Sequence, residues 1–132
     1  MKPPLTKEYV IAYLEEAKEI LNPIHFNIST DFRLLDERDK NYNFILQNNY
    51  YYEQVPDVLR KLTVNDYSDY IIDYNDDGSS PYLMVFGTDI NNKEIYIKFK
   101  IIYSFRNKIL CISFHEAEYK MNYPFREEAE TI

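Results

Sequence analysis

Residues 94–101 read Glu94-Ile95-Tyr96-Ile97-Lys98-Phe99-Lys100-Ile101, and polar and apolar side chains alternate along them. Successive side chains of a β-strand point to opposite faces of its sheet. The apolar residues therefore face a hydrophobic core, while Tyr96, Lys98 and Lys100 share the opposite face with solvent or substrate. This parity predicts an inner strand of a sheet with one polar face.

Turn-forming residues on both sides of this strand predict an antiparallel sheet. Asn91-Asn92 precede it, and asparagine tolerates the left-handed backbone that tight hairpin turns need. The polar connection of residues 104–108 follows it, and the turn-rich segment 75–81 lies between two earlier strands. The predicted strands cover residues 70–74, 82–87, 94–102 and 109–115.

The first part of the chain has the three- and four-residue spacing of amphipathic helices. Thr6 is the expected N-cap of a helix over residues 7–21, which Asn22-Pro23 ends. Similar spacing predicts helices over residues 39–47 and 54–62, and weak alternation predicts a short edge strand over residues 25–29. Helices packed on a C-terminal antiparallel sheet make an α+β domain.

The strand parity also predicts one core beneath the first helix. On the sheet side, its expected members are Ile95, Ile97, Phe99, Ile101, Leu110, Ile112 and Phe114. The chain has 132 residues, of which 45% are hydrophobic and 28% charged, so it can bury one core of this kind. We therefore expect a single domain over residues 1–132.

Composition also limits where the protein works and what it binds. No apolar run approaches the roughly 18 residues that span a bilayer, and the first residues lack the charged and apolar regions of a signal peptide. The one cysteine allows no internal disulfide. These features predict a cytoplasmic protein with no membrane association. The net charge of −7 argues against broad nucleic-acid binding, and against DNA binding by this chain alone, but leaves room for a local basic site.

The polar face of residues 94–102 predicts a functional group built across strands. If the next connection is centred on residues 105–106, antiparallel pairing places Tyr96 opposite His115 and Lys98 opposite Ser113. A hairpin turn at residues 91–92 places Gly87 opposite Tyr96, which predicts an uncrowded floor beside the polar group.

These residue types fit metal-free cleavage of RNA. The reaction needs a base for the 2′-hydroxyl proton, an acid for the leaving oxygen and a cation for the charge of the phosphorane. His115 is the candidate acid or base, Lys98 the electrostatic partner, and Tyr96 a hydrogen-bond donor or a stacking platform. Candidate substrate-binding residues are Lys100, Ser113 and Arg106. The same alternation is also typical of any half-exposed strand, so a purely structural interpretation stays open.

Several short motifs carry a resemblance to a known family. They are Leu62-Thr63-Val64-Asn65-Asp66-Tyr67, Val85-Phe86-Gly87, the stretch 94–101, Ile112-Ser113-Phe114-His115-Glu116-Ala117-Glu118 and Tyr123-Pro124-Phe125. In order and spacing, they resemble the motility quorum-sensing regulator (MqsR) family of mRNA interferase toxins. The resemblance covers about residues 58–125. It implies a RelE-like α+β fold, metal-independent endoribonuclease activity on messenger RNA without a cofactor, and neutralisation by a cognate antitoxin.

The resemblance also implies particular site residues. The tyrosine and lysine of the family's Tyr-aliphatic-Lys strand match Tyr96 and Lys98. His115 stands where the better-studied branch has a lysine, which keeps a proton-carrying nitrogen with a different reach. Asp69 and Leu83 stand where that branch has a lysine and a glutamine, so the chain resembles a divergent branch.

A second class of function remains open from the sequence. A catalytically silent protein of the same fold could use its acidic surface to bind a basic protein partner. Such a binder would continue acidic residues across the Tyr96 face, whereas a nuclease needs a cationic patch there.

Other candidates carry less weight. Residues 115–118 contain three potential metal ligands, but neighbouring strand positions face opposite ways, and we expect no metal site. Cys111 lies in an apolar strand and is expected to be buried. The tyrosines at 50–52 could stack on bases, and Arg38 and Lys40 could contact phosphate, although loop packing and a solvated helix face explain them equally well or better.

Overall fold

The computed structural model describes residues 2–35, 40–48, 52–74 and 81–126. Within these ranges the helices are α1 (Lys7–Ile20), α2 (Ile28–Asp31), α3 (Lys40–Gln47) and α4 (Val55–Lys61), with short 3-10 turns over Tyr52–Gln54 and Val64–Asp66. The strands are β1 (Phe32–Leu34), β2 (Tyr67–Ile72), β3 (Tyr82–Ile90), β4 (Lys93–Ile102) and β5 (Lys108–Glu116). This arrangement confirms the predicted α+β class.

The described strands form one mixed sheet in the order β1-β5-β4-β3-β2. β2, β3, β4 and β5 pair antiparallel with their neighbours, but β1 runs parallel to β5, with Phe32 opposite Ile109. The predicted antiparallel pairing is therefore confirmed for the C-terminal strands β2 to β5, and the parallel strand β1 makes the whole sheet mixed. Short connections force consecutive strands to run antiparallel, whereas β1 and β5 are far apart in sequence and either direction is open to them.

The edge strand predicted over residues 25–29 is also wrong. The Asn27 side chain accepts a hydrogen bond from the Ser29 backbone N–H at 2.9 Å and caps α2, so the extended backbone begins only at Phe32. Asparagine commonly starts a turn or helix in this way, and this local bond outweighs the weak alternation of the segment.

Most other predicted boundaries shift by a few residues. α1 ends one residue early, at Ile20. Residue 39, where the second helix was predicted to begin, and the turn-rich segment 75–80 lie outside the described residues. β2 covers residues 67–72 rather than 70–74, since the Tyr67 ring packs edge-on against Phe86 with centroids 5.8 Å apart. Asn91 and Asn92 have φ angles of 53° and 65°, which confirms the predicted hairpin turn.

α1 covers one face of the sheet and forms the core with it. The Thr6 hydroxyl accepts a hydrogen bond from the Tyr9 N–H at 3.1 Å, which confirms the predicted N-cap. From the buried side of the helix, the Tyr13 ring lies 6.2 Å from Phe99, and its hydroxyl accepts a hydrogen bond from the Ile101 N–H at 2.9 Å. The opposite face of the sheet is therefore left for the polar residues.

The predicted core is correct for β4 and incorrect for half of β5. The expected members that are buried are Ile95, Ile97, Phe99, Ile101 and Phe114. Leu110 and Ile112 are only half-buried, and Ile109 and Cys111 occupy core positions instead. The cause is a β-bulge at Ile112, where the pairing of β5 with β4 shifts by one residue and reverses the parity of the earlier part of β5.

Candidate active site

An open cleft lies on the face of the sheet opposite α1. Its volume is about 670 Å³. Its floor comes from the polar faces of β2 to β5, and its walls come from the start of α3 and from the segment that follows β5. The charged and aromatic side chains that line it are Lys40, Asp69, Tyr96, Lys98, His115, Glu118, Tyr119 and Lys120.

Strand register places the three predicted catalytic residues together. Tyr96 lies opposite His115, and Lys98 opposite Ser113, as the turn positions predict. On the other side, Gly87 lies opposite Tyr96, again as expected. Because all four side chains project from one face, the structure brings Tyr96, Lys98, His115 and Ser113 into the lining of one cleft.

Tyr96 and His115 form a stacked pair. Their ring centroids are 5.7 Å apart and their planes differ by 19°. His115 Nδ1 lies 2.9 Å from the Glu116 carbonyl oxygen. A carbonyl oxygen can only accept a hydrogen bond, so Nδ1 carries the proton of a neutral ring and Nε2 carries the lone pair. In this tautomer Nε2 is the atom that can act as a base.

Tyr96 keeps its proton at neutral pH. Burial raises the pKa of its hydroxyl, and the nearby carboxylate of Asp69 raises that pKa further. A phenol held in this form donates a hydrogen bond and does not serve as a base. The cleft therefore combines one potential base with one neutral donor.

The cleft is more cationic than the chain as a whole. Glu118 pairs with Lys40 at 2.5 Å, and the hydrogen bond from Lys40 lowers the pKa of Glu118. Asp69 pairs with Lys2 at 3.1 Å. In the part of the chain that the structure describes, Lys98 has no carboxylate at ion-pair distance. Its charge is therefore available to an anion in the cleft.

Asn41 holds the end of β5 that carries Ser113 and His115. β1 is too short to pair with this end, and the buried Asn41 side chain replaces it as hydrogen-bonding partner. Nδ2 donates to the Ile112 carbonyl at 3.0 Å and to the Leu35 carbonyl at 2.6 Å, while Oδ1 accepts from the Phe114 N–H at 2.8 Å. The bulge and the residues beyond it are thereby fixed in place.

The floor beside Tyr96 is covered, which corrects the expectation of an uncrowded surface. A Cβ atom on Gly87 would lie 2.8 Å from Met121 Sδ and closer still to the Tyr123 hydroxyl. Gly87 is therefore needed because the chain after β5 packs directly on it.

Two of the predicted substrate-binding residues lie outside the cleft. Lys100 is buried and pairs with Asp73 at 2.6 Å. Arg106 lies in the connection between β4 and β5, where it donates a hydrogen bond to Asp31 Oδ2 at 2.7 Å and another to the His25 carbonyl at 3.2 Å. Both make structural ion pairs in this structure, while Ser113 does line the cleft.

The remaining candidates from the sequence have different outcomes. The described residues hold no group of three or more metal-ligating side chains. Cys111 is buried as expected, and burial raises the pKa of its thiol to about 12, which keeps it unreactive. Tyr52 packs on Phe32 with centroids 5.6 Å apart. Arg38, Tyr50 and Tyr51 lie outside the described residues.

Sequence patterns do not identify several residues of the cleft. They favour a solvated helix face for Lys40 and indicate no role for Asn41, Tyr119 or Lys120, all of which line the cleft. Lys40 and Asn41 enter the site because α3 packs beside β5, a contact between distant parts of the chain. For Tyr119 and Lys120, the sequence signal of a binding site is an aromatic residue next to a lysine, soon after the last strand.

Comparison with family models, curated proteins and solved structures finds no match for this chain. Among the helices that the structure describes, none has the length and apolar character needed to cross a membrane.

Proposed function

We propose that the cleft cleaves single-stranded messenger RNA without a metal ion. The observation that carries the proposal is the alignment of Tyr96, Lys98 and His115 in one cleft by strand pairing. The cleft thus supplies the base for the 2′-hydroxyl proton and the cation for the charge of the phosphorane, and Tyr96 adds a neutral hydrogen-bond donor. The substrate supplies its own nucleophile.

The chemistry follows from the protonation states described above. His115 Nε2 takes the proton of the 2′-hydroxyl as its oxygen forms a bond to phosphorus, and the bond to the 5′-oxygen breaks. The Lys98 ammonium stabilises the negative charge of the phosphorane, and Tyr96 donates a hydrogen bond to it. The leaving 5′-oxygen takes a proton from water, and the products end in a 2′,3′-cyclic phosphate and a 5′-hydroxyl.

The charge distribution favours a nuclease over an acidic binding protein. A chain of net charge −7 repels RNA at most of its surface, so a cationic cleft identifies where RNA could bind. Both carboxylates of the cleft are paired with lysines, and the Lys98 charge remains available. A protein that used this face to hold a basic partner would need carboxylates in place of these lysines.

The proposal extends to the family context that the sequence motifs suggest. We propose a RelE-like fold of the MqsR type for the observed α+β architecture, and a cytoplasmic toxin as the biological role. An enzyme that cuts messenger RNA harms the cell that makes it, so the proposal includes a cognate antitoxin protein that covers the cleft.

Inducible expression tests this function directly. Expression of the wild-type chain should slow growth and produce messenger RNA fragments with new 5′-hydroxyl ends, whereas His115→Ala should do neither at equal protein levels. A Lys61→Gln variant, changed at the C-terminal end of α4 and not among the cleft residues, is the control and should behave as the wild type. Equal growth and equal RNA profiles for wild type and His115→Ala would contradict the proposal.

A further inference from the structure

The segment after β5, residues 117–123, crosses the open face of the sheet and is held at both ends by Glu94. The Glu94 carbonyl accepts a hydrogen bond from the Ala117 N–H at 2.8 Å. Its carboxylate accepts one from the Met121 N–H at 3.0 Å and one from the Tyr123 hydroxyl at 2.7 Å. Glu94 of β4 therefore hydrogen-bonds to both ends of the segment.

The far end of the segment is also held by packing. Met121 and Tyr123 occupy the space that a side chain at position 87 would need, and the Arg126 guanidinium lies 3.9 Å from the centre of the Tyr123 ring. Between the two attachment points, Tyr119 and Lys120 line the cleft that holds Tyr96 and His115.

The side chains of Tyr119 and Lys120 contribute little to the stability of the fold. Tyr119 is 84% exposed, and Lys120 is exposed as well. In the described part of the chain, neither has a side-chain hydrogen bond or ion pair. The backbone of both residues is held over the cleft, and their side chains are exposed to solvent. An exposed aromatic ring next to a lysine can bind a ligand that has a flat face and a negative charge.

A nucleotide of single-stranded RNA has these two features. Its base can stack on a tyrosine ring, and its phosphate can contact an ammonium group. Bases in a duplex already stack on each other and cannot reach such a ring, so this pairing selects a single strand.

We propose that Tyr119 and Lys120 form a nucleotide-binding subsite next to the scissile phosphate. Tyr119 stacks on the flanking base, and Lys120 binds the phosphate on its far side. This inference rests on the proposed ribonuclease function, because it assigns a role within the same cleft. It makes the segment after β5 the part of the chain that positions the substrate strand.

Binding and cleavage by the full-length chain test the subsite separately. For binding, the probe is a fluorescein-labelled single-stranded RNA pool with 2′-O-methyl riboses, which cannot be cleaved, measured by fluorescence anisotropy. Tyr119→Ala should weaken binding about fivefold or more, while Tyr119→Phe keeps the ring and should bind as the wild type. Tyr74→Ala is the matched control, since Tyr74 is 88% exposed and is not among the cleft residues.

The salt dependence of binding identifies the phosphate contact. Lys120→Gln should reduce the slope of log affinity against log salt by about 0.7, the value for one phosphate of a single strand. Lys61→Gln, at an exposed lysine outside the cleft, should leave the slope unchanged. In cleavage of an unmodified pool, Tyr119→Ala should raise KM and leave kcat nearly unchanged.

The possible outcomes separate the subsite from the proposed function. If the wild type binds and cleaves RNA but Tyr119→Ala and Lys120→Gln match it in affinity and salt slope, the subsite is wrong and the ribonuclease function stands. If the wild type binds the probe in a Tyr119-dependent way but cleaves no RNA, the subsite stands as an RNA-binding site and the ribonuclease function is wrong. A wild-type chain that binds no RNA would overturn both.

Discussion

Tyr96 and His115 face each other across β4 and β5, with ring centroids 5.7 Å apart and planes 19° from parallel. The pairing of the two strands places these residues directly opposite each other, with both side chains on the same face of the sheet. The bond from Nδ1 to the Glu116 carbonyl sets the tautomer. Backbone atoms therefore determine both the strand position and the tautomer of the proposed base.

We expect the substitution His115→Gln to lower the rate of RNA cleavage by about two to four powers of ten, the usual contribution of a general base. Glutamine keeps a polar side chain but cannot take the proton of the 2′-hydroxyl. Initial rates of the wild type and the variant measure the effect. Thermal unfolding should be nearly unchanged, and a variant that cleaved RNA at the wild-type rate would rule out His115 as the base.

Tyr96→Phe should have a milder effect because the ring still stacks on His115. We expect cleavage to fall by about 10- to 100-fold, the equivalent of one hydrogen bond to a charged group. Tyr96→Ala removes the ring as well and should lower the cleavage rate further. Rates at saturating RNA distinguish the two, and equal losses in Phe and Ala variants would show that the hydroxyl, and not the ring, has the main role.

The sequence was sufficient for the register of the proposed catalytic residues, because local chemistry decides it. The asparagine pair at 91–92 sets one hairpin, and alternation along β4 sets which side chains share a face. The bulge at Ile112 could not be predicted in the same way. Asn41, which holds the bulge, is 71 residues away in sequence, and no local pattern reports such a contact.

The same distinction explains the different surroundings of Lys98 and Lys100 in β4. The alternation places both lysines on one face and predicts that both contact substrate. Lys100 is instead buried against Asp73, which directly follows β2 and lies 27 positions earlier in the sequence. Periodicity identifies the face of a strand, but what covers each position depends on the rest of the fold.

We expect Lys100→Ala to be strongly destabilising, since removing one partner leaves the buried carboxylate of Asp73 without this cation. The free energy of unfolding should fall by about 3–5 kcal/mol. Lys98→Ala, two residues earlier on the same face, should change it by less than about 1 kcal/mol because Lys98 has no ion pair within the described residues. Urea unfolding of both variants measures this, and a larger loss for Lys98→Ala would contradict the assignment.

The ion pair between Asp31 and Arg106 should make folding stability depend on pH in the acid range. The hydrogen bond that Arg106 donates to the Asp31 carboxylate lowers the pKa of Asp31 to about 2. A carboxyl with a depressed folded-state pKa stabilises the fold above its unfolded pKa of about 4, and this contribution is lost as the pH falls towards 2. Unfolding free energies of wild type and Asp31→Asn should therefore converge as the pH falls from 4 to 2. A constant difference over that range would contradict the interpretation.

Cleavage of defined RNA by the purified protein, free of any antitoxin, tests the central claim most directly. The account predicts that the wild type cuts single-stranded RNA in the presence of a chelator and leaves 2′,3′-cyclic phosphate and 5′-hydroxyl ends. It also predicts that a 2′-deoxy substitution at the cut site blocks the reaction, because the 2′-hydroxyl is the nucleophile. Lys98→Gln and His115→Gln should cut about a hundredfold more slowly or worse. Intact RNA with the wild-type protein, or cleavage that persists at the 2′-deoxy position, would contradict it.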